Sequence, residues 1–336
     1  MKIDFKHNMS AHCENGVISN LLRFHGINLS EAMIFGIGSG IFFSYLPFFK
    51  LNGIPVTSFR PMPGTIFRNT SRALGIKMHV EKFRDPEKAM QGLDINLSRG
   101  IPTGMVIGVF HLTYFPAPYR FHFNAHNIIA IGRENGSYLI SDPVMEKVEK
   151  LSYDDLKRVR YAQGIAKPNG KMYFIESVPV DIDLNSAIKK GLRRTVFEMV
   201  KLPGPIIGVT GIKYLSNRVR IWPSKYGEKE AARYLGQIVR MQEEIGTGGA
   251  GFRFLYAAFL QEASEILEND ALNNTSQQMT KTGDKWREFA VMASRICKGR
   301  QTTETYARLA DFLLDIANDE KQVYLAIEKS LKLNER

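Results

Sequence analysis

Cys13 is the residue whose place in the sequence most favours nucleophilic chemistry. Residues 17–25 carry mainly apolar side chains at three- and four-residue spacing, which predicts a helix from about residue 11 to residue 25. Ser10 is predicted to cap the start of this helix, and Gly26 to follow its end. Cys13 then falls in the first turn, where the helix dipole and the backbone N–H groups at the helix start favour a thiolate over a thiol.

A thiol nucleophile needs a base, and His126 is the candidate because imidazole titrates close to the working pH. Two strand-like runs lie on either side of Asn135-Gly136, which is a strong hairpin signal. In such a hairpin His126 and Asp142 lie on paired strands within reach of each other. A carboxylate behind the ring would fix its tautomer, so Cys13, His126 and Asp142 are predicted to form a catalytic triad.

Spacing alone leaves other interpretations open for these residues. Cys13 could be a buried thiol, His126 a core histidine and Asp142 part of an Asp-Pro turn. A metal site is a further alternative, because His122 and His126 share one face of a strand. No Cys, Asp or Glu at ligand spacing accompanies them, so we expect no metal.

Length and composition indicate a two-domain globular protein. The chain has 336 residues, of which 44% are hydrophobic and 24% charged. The most apolar run, residues 37–49, is interrupted by glycines and Pro47 and is too short for a membrane span. Residues 1–7 lack the apolar core of an export signal, so we expect a cytoplasmic protein. Cys13 and Cys297 are then expected to be free thiols, with Cys297 serving packing.

A formal net charge of +11 favours an acidic partner, which could be nucleic acid, a membrane surface or an acidic protein. The same charge also fits a basic surface that is merely solvated. No nucleic-acid-binding motif and no basic tail is present, so we expect neither a nucleic-acid partner nor stable membrane insertion.

The texture of the sequence changes near residue 180. Strand-like and helical patterns alternate before it, whereas long amphipathic patterns follow at roughly 184–201, 228–245, 251–268, 276–298 and 302–332. The predicted fold class is therefore α+β. Residues 1–180 are predicted to form the catalytic domain, and residues 181–336 an α-helical domain.

Four further residues are candidates for substrate binding. Gly248, Gly249 and Arg253 belong to a glycine-rich stretch that could present N–H groups and a guanidinium to an anion such as a pantetheine phosphate. A close turn between helices is the alternative. Glu31 is predicted either to line the pocket or to serve as an ordinary carboxylate at a helix start.

Several motifs together resemble one known family. In the first half they are His12-Cys13, Leu21-Leu22, Gly26, Leu29-Ser30-Glu31, Gly36-x-Gly38-x-Gly40, His126 before an apolar strand, and Asp142-Pro143. This half resembles the papain-like proteins typified by the butirosin-biosynthesis acyltransferase and, more distantly, the bacteriocin-processing C39 peptidases. The second half, through residues 246–260 and Trp286, looks like the helical domain that accompanies that module.

The resemblance implies a papain-like N-terminal fold and transfer of an acyl group from a carrier-protein or CoA thioester to an amine or hydroxyl of a small natural product. It implies that the thioester acylates Cys13, that His126 is the general base and acid, and that Asp142 orients His126. Papain-like enzymes use an amide side chain before the cysteine in the oxyanion hole. No glutamine precedes Cys13, so the candidates are Asn8, His12 and the Cys13 backbone N–H.

The resemblance also bears on cofactors and partners. It implies no bound cofactor, a phosphopantetheine-linked acyl donor and an acidic acyl carrier protein as partner. The basic pairs Lys189-Lys190 and Arg193-Arg194 could dock that carrier, although a solvated helix face is the default. Two alternatives remain open: a cysteine peptidase or amidohydrolase on the same triad, and a non-catalytic binding protein.

Overall fold

The computed structural model describes residues 2–299 and 303–333. Backbone contacts divide these residues into two compact units, of which the first comprises 2–34 and 74–182, and the second 35–73, 183–299 and 303–333. The units differ from the predicted domains, 1–180 and 181–336, in where they place residues 35–73. The domain assignment itself stays a prediction. Residues 300–302 and 334–336 of the predicted helical domain, including the first residue of the helix predicted at 302–332, lie outside the described residues.

The described residues form both strands and helices. The strands are β1 (Ser44–Leu51), β2 (Ile54–Ser58), β3 (Lys77–Glu81), β4 (Thr103–Ile107), β5 (His126–Glu134), β6 (Ser137–Ser141), β7 (Glu149–Leu151) and β8 (Met172–Ser177). The α-helices are α1 (Cys13–Phe24), α2 (Glu31–Ile37), α3 (Thr65–Ala73), α4 (Pro86–Ser98), α5 (Tyr153–Arg160), α6 (Leu184–Val196), α7 (Gly208–Tyr226), α8 (Glu228–Glu243), α9 (Arg253–Ile266), α10 (Asp270–Cys297) and α11 (Tyr306–Leu333). Shorter helical segments are Ala117–Tyr119, Phe197–Lys201 and Ala250–Phe252.

A six-stranded antiparallel sheet forms the centre of the first unit. Its strand order is β3-β8-β4-β5-β6-β7, and every neighbouring pair runs antiparallel. The first seven residues of β5 are buried, which shows that this strand lies inside the unit rather than at its surface. Helix α1 packs against β5 and β8. This sheet-containing first part and the helical C-terminal region confirm the predicted α+β class.

The hairpin predicted at Asn135-Gly136 is confirmed. These two residues have φ angles of 50° and 81°, as a tight two-residue turn between paired strands requires. A bulge between Ala130 and Gly132 shifts the register, and the pairing extends to Ile129 opposite Ser141. Asp142, the residue directly after β6, therefore lies beside the start of β5, whose first residue is His126.

Helix α1 begins two residues later than the pattern predicted. Its first residue is Cys13, and the N-cap position belongs to His12, whose backbone is extended, rather than to Ser10. The predicted end is close, because the helix stops at Phe24 and Gly26 follows with a φ of 82°. Cys13 thus stands at the very start of the helix, where the dipole acts most strongly on an anion.

Helices dominate the second unit, where they accompany the β1–β2 hairpin. Helix α7 was missing from the sequence prediction. Gly208 and Gly211 near its start and Pro223 near its end weaken the helical signal, although one of its faces is buried. The other predicted helices of this unit agree with the structure to within a few residues, apart from the start of α10, which lies at Asp270 rather than near 276.

Two general features of the chain bear on its chemistry. Within residues 2–299 and 303–333, no helix combines the length and the apolar character that crossing a membrane requires. Cys13 and Cys297 are both free thiols, as predicted. The Cys297 thiol donates to the backbone oxygen of Ala232, and burial raises its pKa, which fits the predicted packing role.

Candidate active site

His126 and Asp142 form a close, buried contact. Nε2 of His126 lies 2.7 Å from Oδ2 of Asp142, and the two residues are 5% and 0% exposed. The same oxygen accepts a hydrogen bond of 2.8 Å from the hydroxyl of Tyr114, and Oδ1 accepts one of 3.2 Å from the N–H of Val144. These partners hold the carboxylate in a fixed orientation behind the imidazole ring.

Cys13 lies within hydrogen-bonding reach of His126. Because Nε2 of the ring is bonded to Asp142, Nδ1 is the nitrogen that can face the thiol. Burial by itself lowers the pKa of His126, but the negative charges of Asp142 and Cys13, and the hydrogen bonds to both, raise it to about 10. The imidazole therefore stays charged near neutral pH, and its positive charge favours a thiolate at Cys13.

A second chain of hydrogen bonds reaches Cys13 through Asn127. Nδ2 of Asn127 lies 4.0 Å from Sγ of Cys13 and donates at 3.1 Å to the backbone oxygen of Ala125. Its Oδ1 accepts a hydrogen bond of 2.7 Å from the hydroxyl of Tyr173. Burial, followed by the negative charges of Glu14 and Cys13, raises the pKa of Tyr173 well above its usual value, so the phenol stays neutral and donates.

Sequence reasoning missed Tyr114, Asn127 and Tyr173. Tyr114 lies in a segment between β4 and β5 that shows no periodic pattern. Tyr173 reads as an ordinary strand residue. The signal that could have indicated Asn127 is a polar amide that follows His126 directly within an otherwise apolar run.

Glu31, the first residue of α2, contacts the segment just before α1, the helix that carries Cys13. Its two carboxylate oxygens accept hydrogen bonds of 2.8 Å from the backbone N–H groups of Ala11 and His12. Burial raises the pKa of Glu31, while those hydrogen bonds act in the opposite direction. These contacts fix the two residues before Cys13, and a role of Glu31 in substrate binding stays a prediction.

The predicted oxyanion donors Asn8 and His12 occupy the segment before α1. The amide nitrogen of Asn8 donates at 3.2 Å to the backbone oxygen of Lys6, and its own backbone oxygen accepts from Asn20. The His12 side chain is buried at the N-cap of α1. The assignment of either side chain to an oxyanion hole stays a prediction.

A close approach joins α1 to the turn that follows Asp142. The N–H of Ser10 donates to the backbone oxygen of Pro143 at 2.7 Å. A Cβ atom on Gly16 would lie 2.5 Å from Cβ of Pro143 and 2.7 Å from Cβ of Ser10. Glycine at this position therefore lets α1 lie directly against the loop that follows Asp142.

The structure corrects the substrate-binding prediction for Arg253. Its guanidinium is completely buried and bonds both oxygens of Glu320, at 2.8 and 3.1 Å. It also donates to the backbone oxygen of Gly251 and lies over the rings of Phe59 and Trp286. The side chain belongs to the core of the second unit, where no substrate anion can reach it without displacing Glu320.

Gly248 and Gly249 also belong to a turn rather than to an anion cradle. The N–H of Gly249 donates to the hydroxyl of Thr247 at 3.1 Å, and the next N–H, of Ala250, donates to the carboxylate of Glu243. A carboxylate already occupies the place of the expected anion. The alternative, a close turn between helices, is the better description.

The metal alternative gains no support from the geometry. The ring of His122 stacks on Phe110 with centroids 4.0 Å apart, and His126 is bonded to Asp142. Among residues 2–299 and 303–333, no group of three or more His, Cys, Asp and Glu side chains is arranged to hold a metal ion.

Comparisons with known families give two matches. A family described as "Butirosin biosynthesis protein H, N-terminal" matches residues 12–143, a range that includes Cys13, His126 and Asp142. A family described as "Domain of unknown function (DUF4872)" matches residues 154–327, about half of the chain. None of the curated proteins compared with the chain matches it.

Two solved structures are similar to part of the chain. A C39-like peptidase from Bacillus anthracis has 12% sequence identity and a TM-score of 0.36, and the alignment covers 53% of this chain and 100% of that one. The peptidase domain of Streptococcus ComA, a bifunctional ABC transporter involved in a quorum-sensing pathway, has 15% identity and a TM-score of 0.33, with coverage of 52% and 98%.

Proposed function

We infer the function from the family: the chain belongs to the butirosin-biosynthesis-type family, and it joins a papain-like N-terminal region to a DUF4872 domain. We propose that it is an acyltransferase with Cys13 as its nucleophile. The observation that carries the proposal is the position of His126, bonded to Asp142 at 2.7 Å and within hydrogen-bonding reach of Cys13. A charged imidazole beside a thiol at a helix start is the arrangement that activates sulfur for attack on a carbonyl.

The proposed reaction has two half-reactions. In the first, the Cys13 thiolate attacks the thioester carbonyl carbon, a C–S bond forms, and the C=O electron pair moves to the oxygen. Collapse of this adduct breaks the donor's C–S bond, and the His126 imidazolium protonates the departing thiolate. In the second, an amine or hydroxyl attacks the acyl-Cys13 carbonyl, His126 takes its proton, and the Cys13 thiolate leaves.

A phosphopantetheine thioester on an acidic carrier protein is the proposed donor, and a small natural product the proposed acceptor. The description of the matched family, a butirosin biosynthesis protein, supports this class of substrate. The formal charge of +11 supports an acidic partner, because opposite net charge speeds encounter. The proposed chemistry requires no bound cofactor, since thiolate and imidazole supply the nucleophile and the proton transfers.

The experiment that tests this proposal is intact mass spectrometry after mixing the protein with carrier proteins loaded with different acyl groups. We expect an acyl adduct on the wild-type chain and on Cys297→Ala, which removes the other thiol. We expect no adduct on Cys13→Ala, and a loss of transfer of at least about 10³-fold, as for other nucleophiles of this kind. Transfer that survives Cys13→Ala overturns the proposal.

The same experiment separates the two alternatives. Release of free acid, with no conjugate in the presence of amines or hydroxylated acceptors, would indicate a hydrolase, in which water takes the place of the acceptor. Absence of any adduct, together with slow labelling of Cys13 by iodoacetamide, would indicate a binding protein with a buried thiol.

A further inference from the structure

We infer that the side-chain amide of Asn127 is an oxyanion donor of this site, which deepens the proposed function and rests on it. The tetrahedral adduct on Cys13 carries a negatively charged oxygen that needs hydrogen-bond donors in fixed positions. The sequence offers no glutamine before Cys13, and the amide of Asn8 donates to the backbone oxygen of Lys6. The amide nitrogen of Asn127, by contrast, lies near the sulfur of Cys13.

The distance between the amide and the sulfur fits this role. Nδ2 of Asn127 is 4.0 Å from Sγ of Cys13, which is longer than a strong hydrogen bond to the sulfur. The oxyanion is attached to the carbon that is bonded to Sγ, so its donor must stand a few ångströms from Sγ rather than in contact with it. The amide has two N–H groups, and only one is required for its bond to the backbone oxygen of Ala125.

The direction of approach also fits. Consecutive side chains of a strand start toward opposite faces, so the side chains of His126 and Asn127, the first two residues of β5, leave the backbone in different directions. The base must face the sulfur and the leaving group, whereas the oxyanion donor must face the carbonyl oxygen. Two adjacent residues of one strand thus divide these two tasks.

The amide is held in place before any substrate arrives. Its Oδ1 accepts a 2.7 Å hydrogen bond from Tyr173, and both residues are buried, at 6% and 2% exposure. The ring of Tyr173 fits beside Gly104, where a Cβ atom would lie 2.3 Å from it. The hydrogen bond from the Tyr173 hydroxyl fixes which end of the Asn127 amide is the oxygen, because a phenol that donates must meet an acceptor. The Nδ2 end of the amide, with the N–H that Ala125 does not use, then faces Cys13, and a donor fixed in advance needs no reorganisation in the transition state.

The experiment compares two reactions of Cys13 that both start from the thiolate, of which only one forms an oxyanion. With 4-nitrophenyl acetate, the thiolate attacks the carbonyl carbon, the oxygen takes up the C=O electron pair, and 4-nitrophenolate then leaves. With iodoacetamide, the thiolate forms a C–S bond at a saturated carbon while the C–I bond breaks, and no oxyanion arises. Both reactions need the thiolate, so their ratio isolates the oxyanion donor.

Asn127→Ala is expected to slow acylation of Cys13 by about 10²- to 10³-fold, the effect typical of losing one oxyanion donor, with alkylation by iodoacetamide changed by less than about threefold. Tyr173→Phe keeps the amide but removes its anchoring bond, and should slow acylation by roughly 2- to 12-fold with alkylation unchanged. The matched control is Asn124→Ala, another buried asparagine, whose amide donates to the backbone oxygens of Gln163 and Ile165. It should leave the ratio of the two rates unchanged.

The outcomes distinguish this inference from the proposed function. Equal slowing of both reactions in Asn127→Ala means that the amide stabilises the thiolate rather than the oxyanion. Unchanged acylation means that the amide stabilises neither the thiolate nor the oxyanion. Each result overturns the inference. Acylation of wild-type Cys13 by the aryl ester but by no carrier-bound thioester overturns the proposed donor and leaves the inference standing. Where only a carrier-bound thioester acylates Cys13, that thioester replaces the aryl ester in the ratio, and failure of both to acylate the wild-type chain overturns the inference and the proposed function together.

Discussion

At the residue scale, the charge of His126 is the property on which the proposed chemistry depends. An imidazole buried at 5% exposure would be expected to lose its proton, because burial disfavours the charged form. The carboxylate of Asp142 and the sulfur of Cys13 outweigh this effect and raise the pKa to about 10. The imidazole thus stays charged between its ordinary pKa of about 6.5 and about 10, a window in which the thiolate of Cys13 keeps a cationic partner.

Asp142→Asn is expected to lower the pKa of His126. Of its two anionic partners, Asp142 raises that pKa more than Cys13 does, and the substitution removes this charge while burial remains. In the wild-type chain the rate of Cys13 alkylation should change little from about pH 6.5 to pH 10, since the imidazolium persists over that range. In Asp142→Asn the rate near pH 7 should fall by roughly 10- to 100-fold and recover only at higher pH. Stopped-flow labelling with iodoacetamide as a function of pH measures both profiles.

The control for this variant is Glu134→Gln, which removes an exposed carboxylate at the other end of β5, where it pairs with Lys150. Its alkylation profile should overlay that of the wild-type chain. A profile of Asp142→Asn that also overlays it would show that the carboxylate does not sustain the charge on His126.

Residue types and spacing singled out Cys13, His126 and Asp142 as candidates, because thiol, imidazole and carboxylate can each perform a distinct step, and their catalytic roles stay a prediction. They could not locate Tyr114 or Asn127, since a phenol or an amide gains a role only from the atoms beside it. They also misplaced Arg253. A guanidinium next to a glycine-rich turn reads as an anion site until its partner Glu320, 67 residues away in the sequence, is seen.

At the element scale, one hairpin and one helix assemble the candidate site. The hairpin was predictable because Asn135-Gly136 adopts positive φ angles readily and the flanking runs suit strands. The bulge at Ala130–Gly132 was not, since no local pattern marks it. The start of α1 was also misplaced by two residues. Ser10 is a good capping residue, but its backbone N–H donates to the backbone oxygen of Pro143. The carboxylate of Glu31 accepts hydrogen bonds from the N–H groups of Ala11 and His12, the next two residues.

Gly16→Ala tests the close approach between these two elements. Alanine normally favours a helix over glycine by about 1 kcal/mol, so the substitution would stabilise α1 in isolation. Here the new Cβ would lie 2.5 Å from Pro143 and 2.7 Å from Ser10, which forces α1 and the loop after Asp142 apart. We expect a net loss of stability of about 1–3 kcal/mol and slower alkylation of Cys13.

Hydrogen–deuterium exchange of peptides from α1 and β5 in increasing urea measures the unfolding of the first unit directly. Gly92→Ala in α4 is the matched control, because the nearest atoms to its Cβ are side-chain ends, Cζ of Phe83 at 3.0 Å and Cε of Met172 at 3.2 Å, which can shift. The Gly16 variant should be clearly less stable than this control. Equal stability of the two would contradict the structural reason given for Gly16.

At the scale of the whole molecule, the chain combines two units that differ in how their polar groups are buried. In the first unit, buried polar groups surround Cys13 and serve the proposed chemistry. In the second, the buried pair Arg253–Glu320 is completed by Trp286, whose Nε1 donates to Glu320 at 2.7 Å. The membership of residues 35–73 in this second unit could not be read from the sequence, because no change of composition marks their borders. The contacts that define it, such as Phe43 stacked on Trp286, join residues far apart in the chain.

Replacing one member of the Arg253–Glu320 pair should destabilise the second unit strongly, because a charge with no exposed surface then loses its partner. We expect Glu320→Leu to lower the free energy of unfolding by about 3–5 kcal/mol, and the double variant Arg253→Leu/Glu320→Leu to cost less than the sum of the two single changes. Tryptophan fluorescence in urea is the measurement, since the chain's two tryptophans, Trp222 and Trp286, both lie in that unit. Additive losses in the double variant would contradict a coupled pair. If Arg253→Leu lost most of its Cys13 acylation at urea concentrations where its tryptophan signal is still native, that result would indicate a functional role for Arg253.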